Sequence, residues 1–109
     1  MISKPKISII GAGNVGASAA YRALELDLAD VVLLDIVEGL PQGKALDMTQ
    51  MLSVTGISSS VIGTNDYSDT KDSDVVIITS GLARKPGMSR DDLISTNTKI
   101  IKEVTEQVV

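Results

Sequence analysis

Gly11-Ala12-Gly13-Asn14-Val15-Gly16 is the stretch that most restricts the folds open to this chain. It follows the apolar run at residues 7–10 and leads into an alanine-rich segment, residues 17–28, that reads as a helix. Nineteen residues past Gly16, a second apolar run, residues 31–34, ends on Asp35. Strand, glycine turn, helix, strand and acid, in that order, make a dinucleotide-binding βαβ unit.

Each residue type has a physical reason. Gly11 permits a tight turn off the strand, and Gly13 lets the backbone approach a pyrophosphate with no Cβ in the way. Gly16 allows the helix to pack closely on the strand. The unpaired N–H groups at the helix start, from Asn14 and Val15 onward, face the ligand, and the helix dipole favours its negative charge. Asp35 can accept hydrogen bonds from the adenosine ribose hydroxyls. A carboxylate there repels a 2′-phosphate, and no arginine follows at Ile36 or Val37. NAD is therefore favoured over NADP.

The remaining segments continue the alternation. Lys6–Ile10 reads as a central strand, its near-continuous apolar character suiting a parallel sheet covered on both faces. The helix over residues 14–28 carries Ala19, Ala20, Ala23 and Leu24 at helical spacing. Residues 30–35 form the second strand. Pro41 marks the first turn of a second helix running to about Ser53, with Gly39 in the turn before it. Its apolar positions (Ala45, Met48 and Leu52, with Leu46 and Met51 on another side) are wider than one stripe. A broadly buried helix and a helix that also packs on a partner subunit both fit. Val61–Thr64 reads as a short peripheral strand, residues 65–74 as a polar loop with room for a helical turn, and residues 75–79 as a buried β-branched strand.

Residues 80–90 (Ser80-Gly81-Leu82-Ala83-Arg84-Lys85-Pro86-Gly87-Met88-Ser89-Arg90) form a loop, punctuated by Gly and Pro. Ser89 can cap the next helix, and Asp91 and Asp92 occupy its first turn, where the dipole favours them. Leu93, Asn97, Ile100, Ile101, Val104 and Val108 give that helix one largely apolar face. Alternating strands and helices imply an α/β, Rossmann-type parallel sheet with helices on both faces, the first four strands of a doubly wound domain. Ligands in such sheets bind beyond the carboxyl ends of the strands, where Gly11, Asp35 and the loop after residue 79 converge. Arg84, Lys85 and Arg90 then lie beside the nucleotide cleft. They read either as a solvated basic loop or as a small-anion site, to which a planar guanidinium brings two parallel hydrogen bonds.

Composition removes other classes. A net charge of −4 with no basic cluster argues against non-specific nucleic-acid binding. No apolar run approaches the ~20 residues of a membrane helix. The chain has neither Cys nor His, which removes disulfides, thiolate ligands and the commonest general base. No metal site is expected.

The sequence resembles the amino-terminal half of the lactate/malate dehydrogenases, in particular the malate branch built on the lactate-dehydrogenase plan. The resemblance covers essentially all 109 residues. It is carried by Ile9-Ile10-Gly11-Ala12-Gly13-Asn14-Val15-Gly16, Leu33-Leu34-Asp35-Ile36, Gly43-Lys44-Ala45-Leu46-Asp47-Met48 and the run from Thr79 to Leu93. The last is highly specific, whereas the first alone also fits flavin enzymes. The resemblance implies that residues 1–109 are an NAD-binding domain including a substrate loop, residues 82–90. The implied reaction is reversible hydride transfer between malate and NAD, giving oxaloacetate and NADH. Arg84 matches the position that pairs with the substrate's second carboxylate, where lactate enzymes typically carry Gln. Arg90 matches the catalytic arginine that binds substrate and stabilises charge on its oxygen during hydride transfer. Thr79, Ser80 and Gly81 match the segment that lines the cofactor. Asn97 matches a polar position near the active site, grouped with the cofactor contacts, and is equally readable as a helix-face asparagine. Asp47 matches a helix at a subunit interface, a solvated aspartate being the competing reading. A cytoplasmic dimer or tetramer of the tricarboxylic acid cycle, acting on a small dicarboxylate without nucleic acid or membrane, is the implied setting.

The family's proton-transferring His, its Asp and a second Arg lie in the later half of those enzymes, and this chain has no His. The expectation is a segment of a longer enzyme whose catalytic domain lies outside it, inactive alone, with the edge of the strand at residues 75–78 and the apolar face of the last helix exposed. A lactate dehydrogenase of the same family and a non-catalytic NAD-binding module are the alternatives.

Overall fold

A computed structural model describes residues 4–79 and 86–109. The order is β1 (Lys6–Ile10), α1 (Asn14–Glu25), β2 (Asp30–Leu34), α2 (Leu40–Thr55), β3 (Val61–Thr64), a 3-10 turn (Tyr67–Thr70), β4 (Val75–Ile78) and α3 (Arg90–Val108). The four strands form one parallel sheet in the order β3-β2-β1-β4.

Side chains alternate across a strand, so the register decides what each face buries. Ile9 lies beside Leu33 and Ile77, and Ile10 beside Leu34 and Ile78. On one face Ile9, Val31, Leu33 and Val61 pack against Ala20 and Leu24 of α1 and Ala45, Met48 and Leu52 of α2. On the other, Ile10 and Leu34 meet Val104 of α3, with Ile100, Val108, Tyr67, Val76 and Ile78 around them. Helices thus cover both faces, as the alternation implied. Leu24 and Leu33 are fully buried, each contributing about 1.5–3 kcal/mol of hydrophobic stabilisation. Ser8, also fully buried on β1, keeps its hydroxyl paired at 2.5 Å with Ser73, whose own hydroxyl donates to the Thr70 carbonyl.

Expectations are corrected at four elements. The first helix stops at Glu25 rather than Leu28, because Asp27 adopts a left-handed backbone (φ 54°). Its carboxylate holds that turn by accepting from Lys4 Nζ (2.9 Å), from the Ser59 hydroxyl (2.5 Å) and from the Ser59 backbone (3.0 Å). The second helix is not broadly buried: Ala45, Met48 and Leu52 make its core stripe, whereas Leu46 is 60% and Val54 86% exposed. The fourth strand is not buried either. Val76 and Ile78 are half-buried under α3, while Val75 and Ile77, on the face of α1 and α2, are 50% and 37% exposed. The last helix follows its apolar pattern only in part, with Val104 buried, Leu93, Asn97, Ile100 and Val108 half-buried, and Ile101 exposed.

Candidate nucleotide-binding site

The site is built where β1, β2 and β4 end. Gly11 leaves β1 with φ 114°, a conformation L side chains rarely adopt, and its N–H donates to Leu34 O at 2.7 Å. Gly16, in the first turn of α1, has no room for a side chain. A Cβ there would lie 1.7 Å from Gly11 O and 2.9 Å from Thr79 Oγ1. Its hydrogen atom lets the helix start press against the turn and against the end of β4. Gly13 is different: its φ is −72°, and a Cβ would meet nothing within 4 Å. Nothing within the protein demands glycine there, so the open space is left for whatever approaches from outside.

What approaches is set by charge. Gly13 caps α1 with no side-chain hydrogen bond and no acidic residue follows in the first turn. The leading N–H groups of an α-helix have no intrahelical partner and carry the positive end of its dipole. Gly13, Asn14 and Val15 are exposed, which presents those groups to an anion.

Asp35 follows directly after β2, half-buried. One carboxylate oxygen accepts from Ala12 N at 2.7 Å and the other from Val37 N at 2.9 Å. A carboxylate offers about four acceptor sites, so capacity remains for ribose hydroxyls. The bond to Ala12 places this acceptor directly against the glycine turn. Burial, and then the nearby Asp35 carboxylate, push the Tyr67 phenol above its ordinary 10.0. Thr79 continues the β4 ladder by donating its N–H to Ile10 O at 2.8 Å, and its hydroxyl lies 3.2 Å from the carbonyls of Ile10 and Gly11. An adenine dinucleotide fits this donor set: amides for a pyrophosphate, open space at Gly13 and a carboxylate for a ribose.

Gly11, Gly13, Asn14, Val15, Gly16, Asp35 and Thr79 are therefore gathered at one end of the sheet. Arg90 is the exposed first residue of α3, behind a capping box in which Ser89 Oγ accepts from Asp92 N and Asp92 accepts from Ser89 N. Asn97 lies further along α3, half-buried. Ser80, Gly81, Arg84, Lys85 and the first part of the substrate loop lie outside the described residues.

Three contributors escaped the sequence reading. Asn65, just after β3, donates from Nδ2 to Asp35 O (2.7 Å) and Val37 O (3.1 Å), and accepts from Gln42 Nε2 (2.6 Å). Gly63 of β3 carries the start of α2 so closely that a Cβ would lie 2.1 Å from Pro41 O. A short polar residue after a strand is the signal that could have pointed to Asn65, since Asn side chains readily bond nearby backbone. A glycine inside a short strand is a signal of close backbone approach and could have pointed to Gly63; nothing in the sequence marks Gln42.

Residues 5–109 match the family described as lactate/malate dehydrogenase, NAD binding domain. A malate dehydrogenase of Methanosarcina barkeri is 61% identical over 103 residues, covering 94% of this chain and 34% of the relative. The apo structure of the malate dehydrogenase from Picrophilus torridus superposes with a TM-score of 0.94 at 43% identity, over 97% of this chain and 34% of that one. The lactate dehydrogenase of Cryptosporidium parvum, solved with lactic acid and NAD, gives 0.90 at 49% identity over 99% and 34%. The chain spans about a third of the length of the relatives it matches.

Proposed function

The chain belongs to the lactate/malate dehydrogenase family, as its NAD-binding domain, and from that premise we propose that it is the cofactor-holding part of a malate dehydrogenase. The observation that carries this reading is the Ala12–Asp35 hydrogen bond, which joins the anion-binding helix start to the ribose acceptor in one continuous site. The amides of α1 hold the pyrophosphate, Asp35 holds the adenosine ribose and disfavours a 2′-phosphate, and Thr79 with the following backbone lines the path towards the nicotinamide. Bound NAD supplies the acceptor for the hydride that leaves the hydroxy acid.

This chain's contribution to the substrate is two arginines. Arg84 pairs with the distal carboxylate of malate or oxaloacetate, and Arg90 binds the substrate and stabilises negative charge on its oxygen. The proton-transferring His, its Asp partner and the arginine for the proximal carboxylate come from a catalytic domain outside these residues. The exposed Leu46 and Val54 of α2 support assembly as a homodimer or homotetramer. Cytoplasmic work in the tricarboxylic acid cycle follows from the resemblance.

The lactate reading is favoured by one finding, the comparable likeness to the Cryptosporidium lactate dehydrogenase. Steady-state kinetics of the full-length protein with oxaloacetate and pyruvate separate the two. Preference for oxaloacetate, lost in Arg84→Gln by roughly 2–5 kcal/mol of transition-state binding with NAD affinity intact, is the expected result. Preference for pyruvate overturns the malate assignment, and an unchanged ratio in the variant overturns the role of Arg84.

A further inference from the structure

Asp35 is useful to a ribose only if its carboxylate points one way. Two of the bonds that orient it are its own, to Ala12 N and Val37 N. Neither partner belongs to a helix or a strand: Ala12 lies between β1 and α1, and Val37 between β2 and α2. What steadies the segment after β2 comes from elsewhere. Asn65 reaches across from the end of β3 and ties two carbonyls of that segment, those of Asp35 and Val37, with a single amide group. Its other end is fixed by Gln42 in the first turn of α2. The orientation of the amide is unambiguous, because two carbonyls can only accept and so must face Nδ2. Backbone pairing adds two further ties, Asp35 N to Thr64 O and Leu40 N to Val37 O, each at 3.2 Å.

The result is an unbroken chain of hydrogen bonds: Gln42 to Asn65, Asn65 to the backbone of Asp35, and the Asp35 carboxylate to Ala12 in the glycine turn. Gly63 strengthens its base by letting the backbone of Pro41 and Gln42 close onto β3. The geometry points to Asn65, braced by Gln42, as a positioning residue for nucleotide binding, one that acts through Asp35 by fixing the carboxylate before the ribose arrives. It touches neither the dinucleotide nor the reacting atoms. A preset acceptor raises affinity because less ordering remains to be done on binding. This inference rests on the proposed NAD site and deepens it.

A double-mutant cycle on the full-length protein, read by titration calorimetry with NAD, tests it. Asn65→Ala is expected to weaken NAD binding about tenfold, the scale of a lost charged or multiple hydrogen bond. In an Asp35→Ala background the same change is expected to weaken binding by less than about twofold, because the group it positions is gone. Gln42→Ala, which leaves both carbonyl bonds in place, is expected to show a smaller loss, about threefold, with the same dependence on Asp35. It carries the test should Asn65→Ala fail to fold by circular dichroism. NAD affinity unchanged in a folded Asn65→Ala, or equal losses in the two backgrounds, overturns the positioning role and leaves the NAD site standing. No heat of binding in the unsubstituted protein brings down both.

Discussion

The carboxylate of Asp35 and the backbone N–H of Ala12 meet at 2.7 Å, across 23 residues of chain. Ala12 is fully buried, so its N–H has Asp35 in place of water. The acid that ends β2 thus completes the glycine turn as well as offering itself to a ribose.

Replacing Asp35 should therefore have two separable effects. Asp35→Asn cannot satisfy both Ala12 N and Val37 N while offering the same acceptors, and a buried donor left unpaired costs about 1–3 kcal/mol of stability. NAD affinity should fall about 10–100-fold, the range for hydrogen bonds to a charged group, while NADP loses less. Urea unfolding and calorimetry check the two effects. A variant as stable as the parent would show that the Ala12 bond contributes nothing net.

Gly13 and Gly16, three residues apart, should respond in opposite ways. Gly16→Ala places a Cβ 1.7 Å from a backbone oxygen, and such overpacking should cost at least ~3 kcal/mol. Gly13→Ala meets nothing within 4 Å, so stability should change by less than about 1 kcal/mol, yet NAD binding should weaken sharply. Thermal midpoints with calorimetry on both variants decide it. Full NAD affinity in Gly13→Ala would refute the close approach of a pyrophosphate.

Gly63 should behave as a packing residue. A Cβ would fall 2.1 Å from Pro41 O and 2.5 Å from Gln42 N, and neither backbone group can swing aside as a side chain can. Gly63→Ala should lose about 1–3 kcal/mol or more, seen as a lower urea midpoint. An unchanged midpoint would mean that α2 can shift freely on β3.

Asp27 should shape the acid limb of the stability curve. The Ser59 hydroxyl first, then the Lys4 ammonium and the Ser59 backbone, hold its carboxyl well below the ordinary 3.8. The folded state therefore favours the anion more than the unfolded chain does. That contribution is complete above the unfolded value and drains away as pH falls below it. Asn tolerates the left-handed backbone of position 27, so Asp27→Asn should be less stable at neutral pH and lose less than the parent between pH 5 and pH 2. Parallel acid slopes from urea titrations would contradict this.

The sequence was most readable where local rules and tertiary packing agree. Lys6–Ile10 and Val61–Thr64 have the limits their apolar patterns indicated, and Ser89 forms the cap its position suggested. It was least readable where a distant residue decides. The end of α1 depends on Asp27 reaching Lys4 and Ser59, 23 and 32 residues away, so helical periodicity up to Leu28 misled. The exposure of Val75 and Ile77 could not be read from β-branched composition, which describes preference for a strand but not what covers it. At the site, the motif marked the glycines and Asp35. It was silent on Asn65 and Gln42, because a brace of side-chain amides has no fixed spacing. The roles of Arg84, Ser80 and Gly81 rest on sequence alone.

The strand order carries a kinetic consequence. β1 pairs with β2 nearby in sequence, but its other neighbour is β4, and the contact that seals the two, Thr79 to Ile10, spans 69 residues. Closing so long a loop is entropically slower than pairing neighbours. On a ribosome the first βαβ unit emerges and can collapse while the floor beneath its glycine turn is still unmade. Competence to hold a dinucleotide should consequently arrive with the last and slowest refolding phase, well after most helical signal has returned.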